Sequence, residues 1–329
     1  MVLSNLKRAA FVFLASAACG AASAQTSQPA AGAYPAKPVR VLVGFTPGGS
    51  SDIVARILSH KLTEAWGQQV VVENRPGAGA NIAAELVAKS PPDGYTLIVT
   101  QNSLAVSPSL YPKLGYDAKK DLIPVASIAS AAHILIVHPT LPAKDVKQLI
   151  ALARSRPGEL TFSSSGIGIN DHMAGELLRS MAQLKVVHVP YKGGAQAAGD
   201  VLSGQVTYYF AGMPVGLPMY KQGRAKALAV TSKERYKNAP ELATMAEALP
   251  GYEVVLWQGV FAPAGLDPKI VARISGDVSR IQKDPDMISR LDASGMVPFP
   301  GTPETFKAFY DSEYAKWGKV IKAAGIKLE

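Results

Sequence analysis

The sequence predicts an α/β protein with two lobes, each a mostly parallel sheet flanked by helices. Short β-branched or aliphatic runs alternate with amphipathic stretches of helical length, and glycine-containing turns join them. The same strand–glycine turn–helix unit recurs in both halves of the chain. Successive units of this kind form parallel strands with helices on the sheet faces, so a ligand is expected at the carboxyl ends of the strands.

The first lobe is predicted from two such units at the start of the folded chain. Apolar residues at strand or helical spacing define each element, and prolines and glycines separate them. In chain order the predicted elements are a strand at 39–43, a glycine turn at 48–49, a helix ending near 66–67, a strand at 70–72, a glycine turn at 77–79, a helix through 86–87 and a strand at 95–99.

The second lobe is predicted to begin with one long apolar strand, and the end of the chain is expected to pack back on the first lobe. The expected boundaries are 25–126 and 232–329 for the first lobe and 127–231 for the second. The predicted elements are a strand at 128–137 after Pro124, a helix at 142–152, a strand at 160–165, a helix around 173–181, a strand at 185–189, a helix at 195–202, strands at 206–210 and 225–230, an apolar run at 252–257, and helices near 270–281 and 303–323.

Residues 1–24 have the pattern of a cleaved export signal. Lys7 and Arg8 precede an apolar run, and an Ala-Ser-Ala site predicts cleavage after Ala24, hence an exported, extracytoplasmic protein. The apolar run is shorter than the roughly 18 residues of a membrane helix. An alternative interpretation makes Cys19 a lipoprotein processing site. Cys19 is the sole cysteine, so cleavage after Ala24 leaves no thiol.

Composition argues against nucleic acid as the partner. The formal net charge of +9 is carried by scattered lysines and arginines, with no block of five or more like charges. About 305 residues would remain after cleavage, enough for two lobes with their own cores. A monomer is expected.

The glycine turns predict an anion site. Gly48 and Gly49 can take φ > 0 and expose unpaired backbone N–H groups, while the following helix points its positive end at the same place. Gly193 and Gly194 repeat the arrangement in the second lobe, and the two turns would face each other across a cleft. Three or four charge-assisted hydrogen bonds of about 1.5–3 kcal/mol each suffice for a micromolar carboxylate complex. The alternative is that these turns are ordinary β–α connections.

Enzyme, cofactor and metal sites lack their required patterns. Gly49 is followed by Ser50 rather than by the lysine of a phosphate-binding loop. For a dinucleotide site, residues 44–49 lack the G-x-G-x-x-G spacing and the turn at 77–79 lacks the third glycine. Ser164-Ser165-Gly166 lacks the leading glycine of a hydrolase elbow. The five histidines form no ligand cluster. Asp52 is interpreted as a helix-start acid that complements the dipole. No cofactor and no metal are expected.

Several motifs, in order along the chain, resemble the Bug family of periplasmic substrate-binding proteins, which are related to the receptors of tripartite tricarboxylate transporters. The motifs are Phe45-x-Pro47-Gly48-Gly49-x-x-Asp52, Val72-Glu73-Asn74-Arg75-x-Gly77-Ala78-Gly79, Pro92-Asp93-Gly94-Tyr95-Thr96-Leu97, His188-Val189-Pro190-Tyr191-Lys192-Gly193-Gly194, Ala227-Leu228-Ala229-Val230-Thr231 and Ala262-Pro263-Ala264-Gly265.

The resemblance implies a two-lobed periplasmic-binding-protein fold of type II. In that fold β–α loops of both lobes hold a small carboxylate through main-chain N–H groups, partly by way of water. It also implies delivery to the subunits of a membrane transporter. The candidate ligand-binding residues are Phe45, Thr46, Pro47, Gly48, Gly49, Ser50, Asn102, Ser165, Gly166, Gly168, Tyr191, Lys192, Gly193, Gly194 and Ala211.

Two departures from the family pattern bear on the ligand. Ile169 stands before His172 where the family usually has a serine, and Ala211 follows Phe210 where the family often has an aspartate. A less polar distal pocket follows, so we expect a carboxylate with an apolar or aromatic remainder, or a dicarboxylate without an amine. A sensor subunit that passes the liganded state to a signalling partner is the alternative function, and an α/β enzyme is the third.

Overall fold

The structure, a computed structural model, describes residues 34–191 and 193–326. The predicted signal peptide with Cys19, and the candidate ligand residue Lys192, lie outside the described residues. No helix in the described ranges combines the length and apolar character needed to cross a membrane.

The first three strands alternate with helices, as predicted. Gly67, in the left-handed conformation, ends the first helix at Trp66. The elements are β1 (Val39–Val43), α1 (Ser50–Trp66), β2 (Val70–Asn74), α2 (Asn81–Ala88), β3 (Thr96–Gln101) and α3 (Ser103–Leu110).

The central part of the chain continues the alternation. It begins with the longest strand, which has 16 residues. The elements are β4 (Leu122–Val137), α4 (Val146–Ser155), β5 (Thr161–Ser164), α5 (Asn170–Ala182), β6 (Val187–Pro190), α6 (Gly194–Leu202), β7 (Tyr208–Gly212), α7 (Met213–Lys221) and β8 (Lys226–Val230).

The last part returns to the beginning of the sheet. Its elements are α8 (Met245–Ala248), β9 (Val255–Pro263), α9 (Pro268–Ile281), α10 (Pro285–Ala293), β10 (Val297–Pro298) and α11 (Pro303–Ala324). Trp257 of β9 and Trp317 of α11 are fully buried in an aromatic core, where Trp257 meets Phe306 and Tyr310 edge to face.

The strands form two half-sheets with the same order. The first half-sheet runs β2-β1-β3-β9-β4 and the second runs β6-β5-β7-β4-β8. In each, the three outer strands are parallel and the fourth is antiparallel to them. β4 belongs to both, because residues 122–132 pair with β9 and residues 133–137 pair with β7 and β8. The change of partner therefore lies at Ala132–His133, six residues beyond the expected boundary.

Several sequence predictions were wrong in their bounds, among them those of β4, α4 and β7. β4 begins at Leu122 instead of 128, because the register shifts at Pro124 and the ladder tolerates a proline there. α4 begins at Val146 instead of 142, because the side chain of Asp145 accepts a hydrogen bond from the N–H of Gln148 and sets the start. β7 begins at Tyr208 instead of 206.

Four helices, α3, α7, α8 and α10, were not predicted from the sequence. α3 contains Pro108 and α7 contains Pro214 and Pro218, which interrupt the helical pattern. Pro214 lies in the first turn, where its missing N–H costs nothing. α10 lies within a stretch for which no element was predicted.

Candidate functional site

The strand directions bring two sets of β–α loops to the same region. β3 runs parallel to β4, and its last residue Gln101 pairs with Gln258 of β9, which pairs with Ala129 of β4. β7 runs in the opposite direction and ends at Gly212, which pairs with His133. The two carboxyl ends thus point at each other from positions four residues apart on β4, about 13 Å along the strand. We call the region between them the junction.

The loop from β1 to α1 enters the junction from the first half-sheet. Gly48 has φ +82, as its role in a tight turn requires, whereas Gly49 has φ −75 and is the N-cap of α1. The N–H of Gly49 donates to the carbonyl of Thr46 at 3.4 Å. Six candidate ligand residues lie here, all exposed or half-buried: Phe45, Thr46, Pro47, Gly48, Gly49 and Ser50.

Asp52, in the first turn of α1, holds this loop in place. Its carboxylate accepts hydrogen bonds from the N–H of Gly48 at 2.9 Å, from Nε of Arg56 at 3.0 Å and from Nδ2 of Asn74 at 2.9 Å. Asn74 also donates to the carbonyl of Phe45 at 3.0 Å. Burial alone would raise the pKa of Asp52, but the hydrogen bonds from Arg56, Gly48 and Asn74 lower it overall, so the group is a carboxylate.

This contact corrects the prediction that the glycine N–H groups are unpaired. The N–H of Gly48 is occupied by Asp52, and the unpaired donors move into the helix. Within the part of the chain that the structure describes, the N–H groups of Ser50, Ser51 and Asp52 have no recorded hydrogen-bond partner. The positive end of α1 therefore still offers free N–H donors to an anion. These donors lie one to three residues further along the chain than Gly49, where the sequence had indicated them.

A polar network lines the first half-sheet below the α1 start. Oγ of Ser51 donates to Oε1 of Gln258 at 3.0 Å, and Nε2 of Gln258 donates to Oε1 of Gln101 at 3.3 Å and to Oγ of Ser50 at 3.3 Å. Both glutamines are buried. The network ties the last residue of β3 to the start of α1.

Asn102, which follows β3, is fully buried, and both polar atoms of its side chain have no partner among the described residues. The same holds for Oγ of Ser103 and Oγ1 of Thr100 beside it. A buried amide without a partner costs about 1–3 kcal/mol, so groups of this kind in a folded protein call for water or a ligand.

The loop from β5 to α5 enters from the second half-sheet. Asp171 holds it as Asp52 holds the first loop. Its carboxylate accepts from the N–H and Oγ of Ser165, from the hydroxyl of Tyr209 at 2.9 Å and from the N–H of His172. Ser165 and Gly166 are half-buried and Gly168 is buried. Burial raises the pKa of Asp171 despite these donors.

This loop also reaches the first half of the molecule. A Cβ on Gly168, which has φ +79, would lie 2.5 Å from Cδ1 of Leu110 and 3.8 Å from Cγ1 of Val106, both on α3. Next to it, Asn170 is the first residue of α5, is 4% exposed, and has both side-chain polar atoms without a partner among the described residues. The turn before α5 therefore packs against the C-terminal half of α3 across the junction.

The third loop, from β6 to α6, contains Tyr191, Gly193 and Gly194. The hydroxyl of Tyr191 hydrogen-bonds to the carboxylate of Asp200, and this bond is the main cause that raises its pKa to about 12. Gly193 is the N-cap of α6 with extended backbone. Gly194 lies beside the β5–α5 loop, since a Cβ on it would be 2.9 Å from the hydroxyl of Tyr209 and 4.0 Å from Cβ of Ser165.

Ala211 differs from the other candidates. It is buried in β7 opposite Ile134, and its Cβ faces Gly216 of α7. Its side chain therefore packs between β4 and α7, and the neighbouring Gly212 stands at the end of the strand.

The capping of the helices distinguishes those that follow parallel strands from four that do not. α1, α5 and α6 have no side-chain hydrogen bond at their N-caps and begin with residues that keep an N–H. The helices α2, α3 and α7, which also follow parallel strands, likewise lack a side-chain cap, whereas four helices that start elsewhere have an Asp or Thr cap and three of these four begin with proline. The caps are Asp145 (α4), Asp267 (α9), Asp284 (α10) and Thr302 (α11), and the prolines are Pro268, Pro285 and Pro303.

The sequence prediction missed several residues of the junction. Asn170 and Gln258 belong to no recognisable motif. They are identified only in the structure, where Asn170 begins the helix after β5 and Gln258 pairs with the end of β3. Asp171 could have been found, because it lies at the start of a helix after a glycine turn, as Asp52 does. Across the described residues, no group of three His, Cys, Asp or Glu side chains could hold a metal ion.

The chain matches known proteins over most of its length. A family model described as "Tripartite tricarboxylate transporter family receptor" matches residues 54–326. A protein from the tcbD-tcbE intergenic region of Pseudomonas sp. (strain P51) is 38% identical over 291 residues, 88% of this chain and 87% of that protein. BugT of Bordetella pertussis is 36% identical over 299 residues, 90% of this chain and 92% of BugT.

Solved structures agree with the sequence relatives. Rpa4515 of R. palustris, determined with adipate, is 36% identical, with a TM-score of 0.77 over 90% of this chain and 100% of its own. MatC from Rhodopseudomonas palustris, with bound malate, is 31% identical, with a TM-score of 0.74 over 88% of this chain and 100% of its own. The predicted fold class and the predicted family are both confirmed. The chain belongs to the receptor family of tripartite tricarboxylate transporters, which includes the Bug proteins, and is a solute receptor with the α/β fold of periplasmic binding proteins.

Proposed function

We propose that this protein is a periplasmic receptor that closes two lobes, one on each half-sheet, over a small organic dicarboxylate and delivers it to a membrane transporter. The observation that carries the proposal is the set of uncapped helix starts at the junction. α1, α5 and α6 keep N–H donors without side-chain caps, whereas α4, α9, α10 and α11 are capped. Uncapped helix starts are anion sites, because N–H groups and helix dipole act together.

The energy of such a site is sufficient. Three or four charge-assisted hydrogen bonds of about 1.5–3 kcal/mol each, less the cost of immobilising the ligand, allow micromolar affinity without a cationic side chain. This matters because the described part of the junction supplies main-chain donors and neutral side chains in abundance. Asp52 and Asp171, its buried carboxylates, are occupied by their own loops.

The unpartnered amides favour the dicarboxylate over an apolar or aromatic acid. Asn102 and Asn170 are buried on the two sides of the junction and have unused donors and acceptors among the described residues. A second carboxylate would use the donors, whereas an aromatic ring would leave them unpaired at a cost of about 1–3 kcal/mol each. Adipate and malate, the ligands of the related Rpa4515 and MatC, are dicarboxylates.

An amine on the ligand is disfavoured by the same contacts. An ammonium group needs a carboxylate, yet the carboxylate of Asp171 already accepts from Ser165, Tyr209 and His172, and that of Asp52 accepts from three groups. We therefore expect weaker binding of aspartate and glutamate than of the matching acids without the amine.

A ligand panel tests the proposal. Thermal unfolding of the full-length mature protein is measured with adipate, malate, glutamate and benzoate, and with adipamide as a neutral analogue. A ligand at a hundred times its Kd adds about 2.7 kcal/mol of stability. We expect stabilisation by one or both dicarboxylates and none by adipamide. Stabilisation by benzoate or glutamate alone would contradict the ligand class.

Two variants at one position test the main-chain donors. Ser50→Pro removes the first N–H of α1, and Gly49 before it already has the extended backbone that proline requires. Ser50→Ala keeps the N–H and removes only the hydroxyl that accepts from Gln258. We expect about tenfold weaker binding for Ser50→Pro and a small change for Ser50→Ala. Equal affinities would show that the N–H of α1 does not contact the ligand.

Delivery to a transporter is tested in cells. Deletion of the protein should abolish uptake of the acid that stabilises it, and recovery of that acid unchanged from the purified protein distinguishes a receptor from an enzyme. Intact uptake combined with a lost transcriptional response to the acid would instead indicate a sensor.

A further inference from the structure

A buried imidazole, His172, and a half-buried one, His188, stack behind the β5–α5 turn. The rings of His172 and His188 have centroids 4.1 Å apart and an interplanar angle of 26°, and Phe162 stacks on His188 at 4.7 Å. His172 is 2% exposed. The pair lies on two different elements, α5 and β6, so the stack joins the strand to the helix that flanks the turn.

His172 holds one end of the turn. The N–H of Gly168 donates to Nδ1 of His172 at 3.0 Å. Because Nδ1 accepts, the neutral ring carries its proton on Nε2, which faces Oε1 of Glu176 at 3.7 Å. A proton on Nδ1 would remove the acceptor and place two donors against each other.

His188 holds the other end through Ser164. Nε2 of His188 lies 2.7 Å from Oγ of Ser164, and Oγ of Ser164 donates to the carbonyl of Gly166 at 3.0 Å. The hydroxyl proton is used in that bond, so the imidazole is the donor to Ser164. The N–H of Gly166 also donates to the same Oγ at 3.3 Å.

We propose that His172 and His188 are positioning residues. Together they fix the Gly166–Gly168 turn, against which the two lobes close on the ligand. This inference rests on the proposed function. Glycines at both ends of the turn have positive φ, where the backbone has many accessible alternatives, so the turn needs external hydrogen bonds to keep one conformation. By fixing this turn, the two histidines also fix the close approach of Gly168 to Leu110 across the junction.

The environment keeps both rings neutral. Burial lowers the pKa of His172 to about 3, with further contributions from His188 and Arg179, and burial lowers the pKa of His188 to about 4, with a contribution from Arg179. At pH 7 the acceptor on His172 is therefore available at all times.

Two substitutions at position 172 separate the hydrogen bond from the packing. In His172→Asn the side-chain oxygen can occupy the place of Nδ1 and accept from Gly168. In His172→Gln the amide lies near the place of Nε2 and the acceptor is lost. Tyr208→Phe is the control within the same stack, because it removes a buried hydroxyl that has no hydrogen-bond partner in the described ranges.

Affinity for adipate and malate and hydrogen exchange of the Gly168 amide are measured for each protein. We expect His172→Gln to bind about 3- to 10-fold more weakly and to lose protection at Gly168, while His172→Asn and Tyr208→Phe resemble the wild type in both respects. The wild-type ring should also show the nitrogen shifts of the Nε2-protonated tautomer.

Equal affinity in all variants with an unchanged Gly168 amide would overturn the inference. Losses of affinity in His172→Asn and His172→Gln that follow only their losses of stability would overturn it as well, because that pattern indicates packing alone. If the wild type binds neither acid, the proposed ligand class fails, and the Gly168 exchange and the tautomer still decide the role of His172.

Discussion

Gly193→Val is expected to abolish ligand binding while leaving the fold intact. Gly193 has φ 165 and ψ 157, an extended conformation that any residue adopts. A Cβ built there meets no atom of the described residues within 4 Å beyond its chain neighbours. The added isopropyl group therefore enters open space at the start of α6, where the ligand would approach the helix N–H groups.

The magnitude follows from the donors that the side chain would block. Two charge-assisted hydrogen bonds at the start of α6 amount to about 3–6 kcal/mol, or about 100-fold to 10,000-fold in Kd. With ligand at a hundred times the wild-type Kd, the stabilisation falls from about 2.7 to about 0.4 kcal/mol or less. For a chain of about 305 residues that is a change in the ligand-induced Tm shift from roughly 4 °C to less than about 1 °C.

Gly199→Val is the matched control in the same helix. Gly199 is exposed within α6, and a Cβ there also meets no atom of the described residues within 4 Å. We expect its unliganded Tm and its ligand shift to stay within about 2 °C of the wild type, as the unliganded Tm of Gly193→Val should. A full ligand shift in Gly193→Val would remove α6 from the site. A large fall in the unliganded Tm of Gly193→Val would mean that the valine side chain does not fit at this position.

Three further predictions concern stability. Asp52→Asn replaces the acceptor of three hydrogen bonds with a group that carries its own N–H, and we expect a loss of about 2–4 kcal/mol in urea unfolding at pH 7. Gly44→Ala should lower the free energy of unfolding by at least about 2 kcal/mol in the same assay, because a Cβ would lie 2.5 Å from Cα of Ala80. An unchanged urea midpoint would mean that the backbone shifts to accommodate the methyl group. The folded pKa values of His172 and His188, about 3 and 4, lie below the unfolded value of 6.5. At pH values between the folded and unfolded pKa, the unfolded chain therefore binds more protons than the folded protein. The stability that the neutral rings provide is therefore present above pH 6.5 and is lost as the pH falls toward 4, which urea midpoints at pH 7, 6 and 5 would measure.

Local patterns in the sequence were sufficient for much of the fold. β1 has the predicted bounds and α1 ends where predicted, because a β-branched run and a glycine in the left-handed conformation act within a few residues. The start of β4 was missed for the opposite reason. In the sequence, Pro124 indicates a break in the strand. In the structure the strand continues through it, because the register with β9 is irregular at this position.

The position of the candidate loops at the carboxyl ends of the strands could be predicted, whereas the N–H groups that remain unpaired there could not. The rule that ligands bind at carboxyl ends of parallel strands located the loops. Which N–H groups remain unpaired depends on side chains from elsewhere, and no local pattern shows that Asn74, on the next strand, helps to hold Asp52 against Gly48. The burial of Asn170 without a partner is likewise a result of tertiary packing.

The repeated strand order changes which loops correspond. By position in the half-sheets, the β1–α1 loop matches the β5–α5 loop, and each is tied by its own acid, Asp52 or Asp171. The α6 start is different, because no carboxylate hydrogen-bonds to the described residues 193–196. A ligand anion at α1 or α5 lies beside the carboxylate that ties that loop, whereas the start of α6 adjoins Asp171 indirectly, through the hydroxyl of Tyr209. Blocking α6 with Gly193→Val should therefore weaken binding more than removing one donor from α1 with Ser50→Pro, and the reverse order would contradict this assignment of unequal roles.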